Sequence, residues 1–228
     1  MRRETRETRV RIRLGRADDD GDGGGGGGPA AAIDTGDRFL DHMLATFARY
    51  AGLALGVEAD GDLRHHLVED VAITLGLALR EEIPERCRRY GDAAVPMDDA
   101  LVHAALDAGG RFYYEGPLPS TLYDHFLRSL AENARITLHV RVLRGRDRHH
   151  VVEAAVKATG LALRQALEAG TNVFSTKGAV RVRRGDGALD EMRLGEAPPA
   201  GARTGRVDPT DRGEDDAARA AAATDEEA

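Results

Sequence analysis

An internal repeat is the feature of this sequence that most restricts its fold. The run His65-His66-Leu67-Val68-Glu69 returns 84 residues later as His149-His150-Val151-Val152-Glu153, and Gly76-Leu77-Ala78-Leu79-Arg80 returns at the same offset as Gly160-Leu161-Ala162-Leu163-Arg164. Upstream, Asp41-His42-Met43-Leu44 returns as Asp124-His125-Phe126-Leu127 at an offset of 83 residues. A nearly constant register across three motifs predicts two halves that fold alike.

Both halves show a similar alternation of strand and helix patterns. Period-two alternation predicts strands at 10–14, 100–106 and 136–143, and helical spacing of apolar residues predicts helices at 40–50, 68–82, 123–133 and 152–169. We therefore expect an α+β fold of internally duplicated half-domains, each a sheet with helices on one face. The two half-domains are expected to pack into one pseudo-symmetric domain.

Two segments lack the composition of a packed core. Residues 18–28 consist of aspartates and a glycine run, which predicts a flexible loop between two strands. Residues 185–228 are rich in Gly, Pro, Asp, Glu and Ala, which predicts a disordered acidic and Ala-rich tail. The duplicated domain is therefore expected to span residues 4–182, with halves of about 4–92 and 93–182.

Composition excludes several classes of protein. A formal net charge of −7 lacks the basic excess of nucleic-acid binders, and the chain has no Trp. The single cysteine, Cys87, excludes an internal disulfide framework and a Cys-type zinc site. No run approaches the roughly 18 apolar residues of a membrane span, and the first residues contain no apolar signal segment. We expect a cytoplasmic protein that binds neither nucleic acid nor membrane.

The repeated histidines and glutamates predict a metal site. At the start of a helix, His65 and Glu69 stand at i and i+4 and share one face, whereas His66 is rotated about a quarter turn or more and should serve a different metal. The second half repeats this arrangement with His149, His150 and Glu153, and the upstream motifs add His42 and His125. The set gives three imidazoles and one carboxylate per metal, which suits Mn, Fe, Co or Zn better than Mg or Ca.

The duplicated ligands also predict self-association. If each site takes the first His and Glu of one half and the second His of the other, neighbouring subunits could bridge the sites, and a homo-oligomer would follow. His103 and His139 have no counterpart in the repeat, so we interpret both as structural.

Further motifs accompany the histidine pairs. They are Thr5-Arg6-Glu7-Thr8, Thr35-Gly36, Phe39-Leu40-Asp41-His42-Met43-Leu44, Gly61-Asp62-Leu63, Glu69-Asp70-Val71-Ala72, Arg89-Tyr90-Gly91, Pro96-Met97-Asp98, Gly110-Arg111, Glu153-Ala154, Lys157-Ala158 and Ser175-Thr176-Lys177-Gly178. Together they make the chain resemble the imidazoleglycerol-phosphate dehydratase family over roughly residues 4–180. The resemblance implies a hydro-lyase of histidine biosynthesis that converts imidazole glycerol phosphate to imidazole acetol phosphate plus water.

The resemblance also implies specific roles for residues. It implies two Mn ions per chain, with Fe, Co or Zn as alternatives, and a large cage-like homo-oligomer with its sites between subunits. The eight implied metal ligands are His42, His65, His66, Glu69, His125, His149, His150 and Glu153. All of them except His125 are also implied to be catalytic residues. Implied substrate contacts, mainly to phosphate, are Glu7, Arg89, Arg111, Lys157, Ser175, Thr176 and Lys177. Glu7 is the candidate for proton transfer, and Asp98 is a second one.

Several positions depart from the family pattern. The family usually has two aspartates before the first histidine pair, where this chain has Leu63 and Arg64 after a link about three residues shorter. Gly109 replaces a Ser, and Phe174 replaces a Pro. These departures motivate two alternatives: a paralogue with the same metal cage that acts on another small phosphorylated substrate, or a non-catalytic metal-binding assembly. The anion-binding residues argue against the second alternative.

Overall fold

The computed structural model describes residues 1–17, 32–170, 180–183 and 189–192, with side chains for the first two ranges. The helices are α1 (Arg38–Ala51), α2 (Arg64–Glu82), α3 (Thr121–Ala134) and α4 (Arg148–Ala166). The strands are β1 (Arg2–Glu4), β2 (Thr8–Arg16), β3 (Ile33–Asp34), β4 (Leu53–Gly61), β5 (Tyr90–Met97), β6 (Ala100–Asp107), β7 (Tyr113–Glu115), β8 (Thr137–Arg144), β9 (Val180–Arg183) and β10 (Leu189–Met192). No helix within these described ranges is long and apolar enough to cross a lipid bilayer.

Two four-stranded sheets have the same topology. The first has the order β1-β2-β4-β3 and the second the order β5-β6-β8-β7, so each half runs β-β-β-α-β-α along the chain. In each sheet the first three strands in this order pair antiparallel, and the short edge strand pairs parallel. The predicted α+β fold of duplicated half-domains is confirmed.

The helices pair across the two halves. Helix α2 packs against α3 and helix α4 against α1, while α2 also covers the first sheet and α4 the second. Gly76 and Gly160, the glycines of the repeated motif, lie at these two crossings. A Cβ atom on Gly76 would lie 2.7 Å from the Leu130 carbonyl oxygen, and one on Gly160 would lie 3.0 Å from that of Phe47. The missing side chains therefore allow the paired helices to approach closely.

A β-bulge accounts for the change of offset from 83 to 84 residues. Val10 pairs with Ala59 in the first sheet, and the equivalent Val102 pairs with Val142 in the second. The preceding residue, Leu101, pairs with Arg144, so Leu143 is the extra residue in β8. The same register makes Glu7 and Asp99 equivalent positions, each three residues before its paired valine.

The element boundaries differ in places from the sequence prediction. Strand β5 crosses the expected division at residues 92 and 93 and pairs within the second sheet, so the second half begins by Tyr90. Helix α4 ends at Ala166 rather than at Ala169. Strand β10 lies inside the segment that was predicted to be disordered, and it pairs antiparallel with β9, whose Val and Arg residues alternate; the rest of that segment lies outside the described residues. The predicted loop at 18–28 lies outside the described residues.

Candidate metal centre

The first metal-ligand cluster combines both halves of the chain. His65 and Glu69 lie in the first two turns of α2, and the His65 Nε2 atom is 3.5 Å from Glu69 Oε2. His125, on α3, places its Nε2 atom 3.2 Å from Glu69 Oε1. The pairing of α2 with α3 therefore brings two imidazoles and one carboxylate together, with ligand atoms within 4.8 Å of one another.

The second cluster consists of the residues that the internal repeat makes equivalent to those of the first, and its two histidine rings lie farther apart. His149 Nε2 on α4 lies 3.2 Å from Glu153 Oε2, and His42 Nε2 on α1 lies 3.5 Å from the same oxygen. The His42 and His149 rings are 6.4 Å apart, against 5.4 Å for His65 and His125. Glu153 is buried, and Lys157 Nζ lies 2.8 Å from its other oxygen.

The aspartates of the repeated Asp-His motif hold the helices that carry these histidines. Asp41 accepts hydrogen bonds from the backbone N and the hydroxyl of Thr35, at 2.9 and 2.6 Å. Asp124 accepts hydrogen bonds from the Tyr114 hydroxyl at 2.9 Å and the Leu118 backbone N at 3.2 Å. Each aspartate ties the first turn of its helix to the preceding segment, which fixes the position of the histidine that follows it.

The second histidine of each pair faces different carboxylates. His66 Nδ1 lies 3.0 Å from Asp62 Oδ1 and 3.4 Å from Glu7 Oε2. His150 Nδ1 lies 2.7 Å from Asp99 Oδ1, and its Nε2 atom lies 3.3 Å from Asp98 Oδ2. His66, Asp62 and Glu7 form a further group of three residues with ligand atoms within 4.8 Å of one another. In the described part of one chain, neither His66 nor His150 pairs with Glu69 or Glu153. The histidines that contact a glutamate of the other half are His125 and His42. The sequence analysis had instead considered the second histidine of each pair, His66 or His150, for this contact between halves.

These contacts shift the pKa values of the ionisable groups. The hydrogen bond to Asp62 raises the pKa of His66, and the hydrogen bond to Asp99 raises that of His150. Asp99 accepts hydrogen bonds from His150 and from two backbone N–H groups, and these bonds lower the pKa of Asp99 to about 2. Burial works to raise the pKa of Glu153, but the hydrogen bond and charge of Lys157 outweigh burial and keep it below its usual value. Glu153 is therefore held as a carboxylate, the form that binds a cation.

Glu7 is positioned by a hydrogen-bonded turn. Its backbone N donates to Thr5 Oγ1 at 3.1 Å, and the hydroxyl of Thr5 lies 3.1 Å from that of Thr8. The Thr8 hydroxyl in turn donates to the buried carboxylate of Asp70 on α2, which also pairs with Arg3 at 3.1 Å. The turn that carries Glu7 is thus fixed to the helix that carries His66. The sequence analysis missed this role of Asp70.

The two residues that replace the family's aspartates do not support the first histidine pair. Leu63 is 56% exposed and makes no side-chain hydrogen bond to the start of α2. The Arg64 guanidinium instead pairs with Asp37, the N-cap of α1. The carboxylate beside the first pair is therefore Asp62, which stands four residues before His66, and this helical spacing was the available sequence signal.

The candidate phosphate ligands do not all lie near the metal clusters. Lys157 is beside Glu153, but the Arg89 backbone N donates to Ala166 O at 2.8 Å, at the opposite end of α4. A helix rises 1.5 Å per residue, so roughly 20 Å separates this end from Glu153. One chain therefore does not bring Arg89 to the cluster around its own Glu153.

Asp107 holds the Arg89 side chain in a fixed orientation. The guanidinium donates to the two carboxylate oxygens, from Nε at 2.6 Å and from Nη2 at 2.9 Å. A Cβ atom on Gly109 would lie 2.5 Å from Arg89 Nη2, so the small residue at 109 leaves room for this arrangement. Arg111 follows two residues later and is exposed. Ser175, Thr176 and Lys177 lie outside the described residues.

The two unrepeated histidines lie apart from these clusters. His103 Nε2 is 3.3 Å from Asp92 on the neighbouring strand, and the His139 ring contacts that of Tyr113 with centroids 5.2 Å apart. Both histidines lie on strands of the second sheet, and neither approaches a described metal-ligand cluster.

The donor atoms fit a transition metal better than a set of ordinary hydrogen bonds. His125 Nε2 is buried and makes no hydrogen bond within the described part of the chain, although it faces Glu69. An orphaned imidazole nitrogen beside a carboxylate is a costly arrangement unless a cation lies between them. Imidazole nitrogens and carboxylate oxygens are donor types that suit such a metal.

The similarity to known proteins agrees with this geometry. The family model described as imidazoleglycerol-phosphate dehydratase matches residues 35–163, a range that includes all eight candidate metal ligands. The chain belongs to the imidazoleglycerol-phosphate dehydratase family. It is therefore a relative of dehydratases, which are lyases.

Individual members of the family match most of the described chain. The imidazoleglycerol-phosphate dehydratase of Pyrobaculum calidifontis is 46% identical over 196 residues, covering 79% of this chain and 98% of that protein. The Pyrococcus furiosus dehydratase is 41% identical over 79% of this chain and all of its own length, and its crystal structure superimposes with a TM-score of 0.69. The Staphylococcus aureus structure, 32% identical, covers 74% of this chain and 98% of its own, with a TM-score of 0.63.

Proposed function

We propose that this protein is an imidazoleglycerol-phosphate dehydratase that converts imidazole glycerol phosphate to imidazole acetol phosphate and water in histidine biosynthesis. The observation that carries the proposal is the pair of clusters that each contain residues of both halves. Glu69 lies beside His65 and His125. Glu153 lies beside His149 and His42. Both clusters belong to the internal repeat, as expected for a centre that uses two similar metal ions.

The metal proposed for both clusters is Mn²⁺, at two ions per chain, with Fe²⁺, Co²⁺ or Zn²⁺ as alternatives. His66 and His150 complete the set to three imidazoles and one carboxylate per ion. Such ions, when bound, would supply Lewis-acid polarisation of the substrate's imidazole ring and hydroxyl and would lower the pKa values of these groups.

The chain's own residues would bind the substrate and move its proton. Arg89, which Asp107 holds, Arg111, Lys157, Ser175, Thr176 and Lys177 are the proposed ligands of the phosphate. Glu7 is the proposed proton-transfer group, because its fixed backbone and exposed carboxylate stand beside His66. The exposed Asp98 carboxylate has a comparable place beside His150.

A homo-oligomer is part of the proposal, for two reasons. In the described part of one chain, His66 and His150 pair with carboxylates other than Glu69 and Glu153, and Arg89 lies roughly 20 Å along α4 from Glu153. Neighbouring copies would bring these groups together, so that the assembled protein completes sites which one chain leaves incomplete. We place this assembly in the cytoplasm.

The direct test uses the purified full chain, stripped of metal and then reloaded with Mn²⁺, with imidazole glycerol phosphate as substrate. Formation of the ketone product is followed through its enolised form. We expect turnover by the reloaded protein and none by Glu69→Gln, while Asp60→Asn, which changes an exposed carboxylate on β4, keeps wild-type activity. No turnover with Mn²⁺, Fe²⁺, Co²⁺ or Zn²⁺ would instead favour another small phosphorylated substrate or a non-catalytic metal assembly.

A further inference from the structure

His66 and His150, the second histidines of the two pairs, occupy equivalent positions in the two halves. The aspartates that lie nearest to them do not occupy equivalent positions. His66 faces Asp62, which precedes it by four residues and comes directly after β4. His150 faces Asp99, which lies 51 residues earlier in the chain, in the turn between β5 and β6. The residue equivalent to Asp62 is Arg146, and the residue equivalent to Asp99 is Glu7, so the repeat alone does not explain the two contacts.

Both carboxylates approach the same ring nitrogen. The distances are 3.0 Å from His66 Nδ1 to Asp62 Oδ1 and 2.7 Å from His150 Nδ1 to Asp99 Oδ1. A carboxylate accepts hydrogen bonds but cannot donate them, so each contact selects the tautomer with the proton on Nδ1. That tautomer leaves the Nε2 lone pair free, and a metal-binding histidine is commonly fixed in this way.

The carboxylates are themselves held in place by backbone groups. Asp62 Oδ1 accepts the Leu63 backbone N at 2.7 Å. Asp99 Oδ2 accepts the backbone N of Arg146 at 2.7 Å and that of Asp147 at 3.2 Å, which leaves Oδ1 for the imidazole. Each histidine is therefore oriented by a group that the loop before its helix fixes.

We propose that Asp62 and Asp99 are positioning residues, which hold His66 and His150 with Nε2 available to a metal ion. This inference rests on the proposed metal centre. Glu7 also approaches His66 Nδ1, at 3.4 Å, but the shorter contact and the anchored oxygen identify Asp62 as the orienting group. For His150, metal binding would replace the 3.3 Å contact of Nε2 with Asp98.

The two aspartates should respond differently to replacement by asparagine. At position 62 one oxygen serves both the backbone N and the imidazole, so an amide oxygen can keep both contacts. At position 99 the two backbone N–H groups would retain the amide oxygen, which turns the amide NH2 towards His150 Nδ1. That donor would select the opposite tautomer, with a proton on the metal-binding nitrogen.

The test is Mn²⁺ titration of the metal-stripped full chain, with free Mn²⁺ measured by its electron paramagnetic resonance signal. We expect two tight ions per wild-type chain. Asp62→Ala and Asp99→Asn should each weaken one of the two ions by about 10-fold to 100-fold and spare the other, because each histidine belongs to a different site. The double variant should weaken both, and Asp62→Asn should be close to wild type.

Controls separate positioning from loss of structure. Asp60→Ala removes an exposed carboxylate two residues from Asp62 and should bind two ions as tightly as wild type. The melting temperatures of all the stripped variants should stay near that of stripped wild type. Wild-type affinity in both Asp62→Ala and Asp99→Asn would overturn this inference alone, whereas a wild-type chain that binds no Mn²⁺ would overturn the metal centre as well.

Discussion

Glu69 in the first half of the chain lies 3.2 Å from His125 in the second half, and Glu153 in the second half lies 3.5 Å from His42 in the first. Both contacts arise because helices pair across the halves rather than within them. Neither three-residue cluster can form in an isolated half. The duplicated fold and the candidate metal centre therefore depend on the same helix packing.

Chelation should dissociate the assembly. If His66 and His150 bind metal held by a neighbouring copy, part of the metal-binding free energy is association free energy. Light scattering coupled to size-exclusion chromatography should give a smaller mass with a chelator than without it, at low protein concentration, and added Mn²⁺ should restore the larger mass. An unchanged mass after complete metal removal would contradict ligation between subunits.

Arg111→Ala should impair substrate use without loss of metal. The side chain is exposed and carries no donor atom suited to a cation, so its removal spares both clusters. Loss of one charged hydrogen bond to phosphate costs about 1.5–3 kcal/mol, which corresponds to a fall in kcat/KM of roughly 10-fold to 150-fold. Steady-state kinetics measures this fall. Arg13→Ala, on the outer face of the first sheet, should keep wild-type kinetics; equal kinetics for Arg111→Ala would remove that residue from the phosphate site.

Gly76→Ala should destabilise the protein. The new Cβ would lie 2.7 Å from the Leu130 carbonyl oxygen and 2.8 Å from Asn133 Cβ, so α2 and α3 would have to separate. Overpacking costs about 1–3 kcal/mol, and the higher helix propensity of alanine returns about 1 kcal/mol. We expect a melting temperature several degrees lower, measured on stripped protein. Gly15→Ala, with nothing within 4 Å of its Cβ, is the control and should be neutral by comparison.

The sequence predicted the duplicated fold and the candidate ligands because both follow from the internal repeat. The spacing of His65 and Glu69 correctly placed them on one helix face, and the duplication correctly implied two similar half-domains. The crossing of His125 to Glu69 was not predictable from spacing, since it depends on which helices pack together. Asp99 was missed for the same reason: 51 residues separate it from His150, and only the sheet register and the β5–β6 turn bring them into contact.

The ion pair between Asp37 and Arg64 should make stability fall at acid pH. Burial works to raise the pKa of Asp37, but the bond to Arg64 and two backbone N–H groups outweigh it and lower that pKa. A lowered pKa in the folded state means that the stabilisation is complete above the unfolded value of about 3.9 and is lost as pH falls through the folded value.

Two substitutions at Asp37 separate its roles. Asp37→Ala removes the N-cap of α1 and should cost about 0.5–2 kcal/mol at neutral pH. Asp37→Asn keeps a capping oxygen and loses only the charge. Its cost in stability should be smaller, because Arg64 is largely exposed and the lost ion pair is therefore weak. Thermal melts across the acid range should show the difference between wild type and Asp37→Asn shrinking as pH falls. A difference that grows towards acid pH would contradict the lowered pKa.

The location of bound metal tests the central claim most directly. Crystals of the full chain grown with Mn²⁺ should show two strong anomalous peaks per chain at the manganese absorption edge. One peak should lie among His65, Glu69 and His125, and the other among His42, His149 and Glu153, each with His66 or His150 of a neighbouring copy as a further ligand. A single peak per chain, or peaks away from Glu69 and Glu153, would contradict a centre built from both halves.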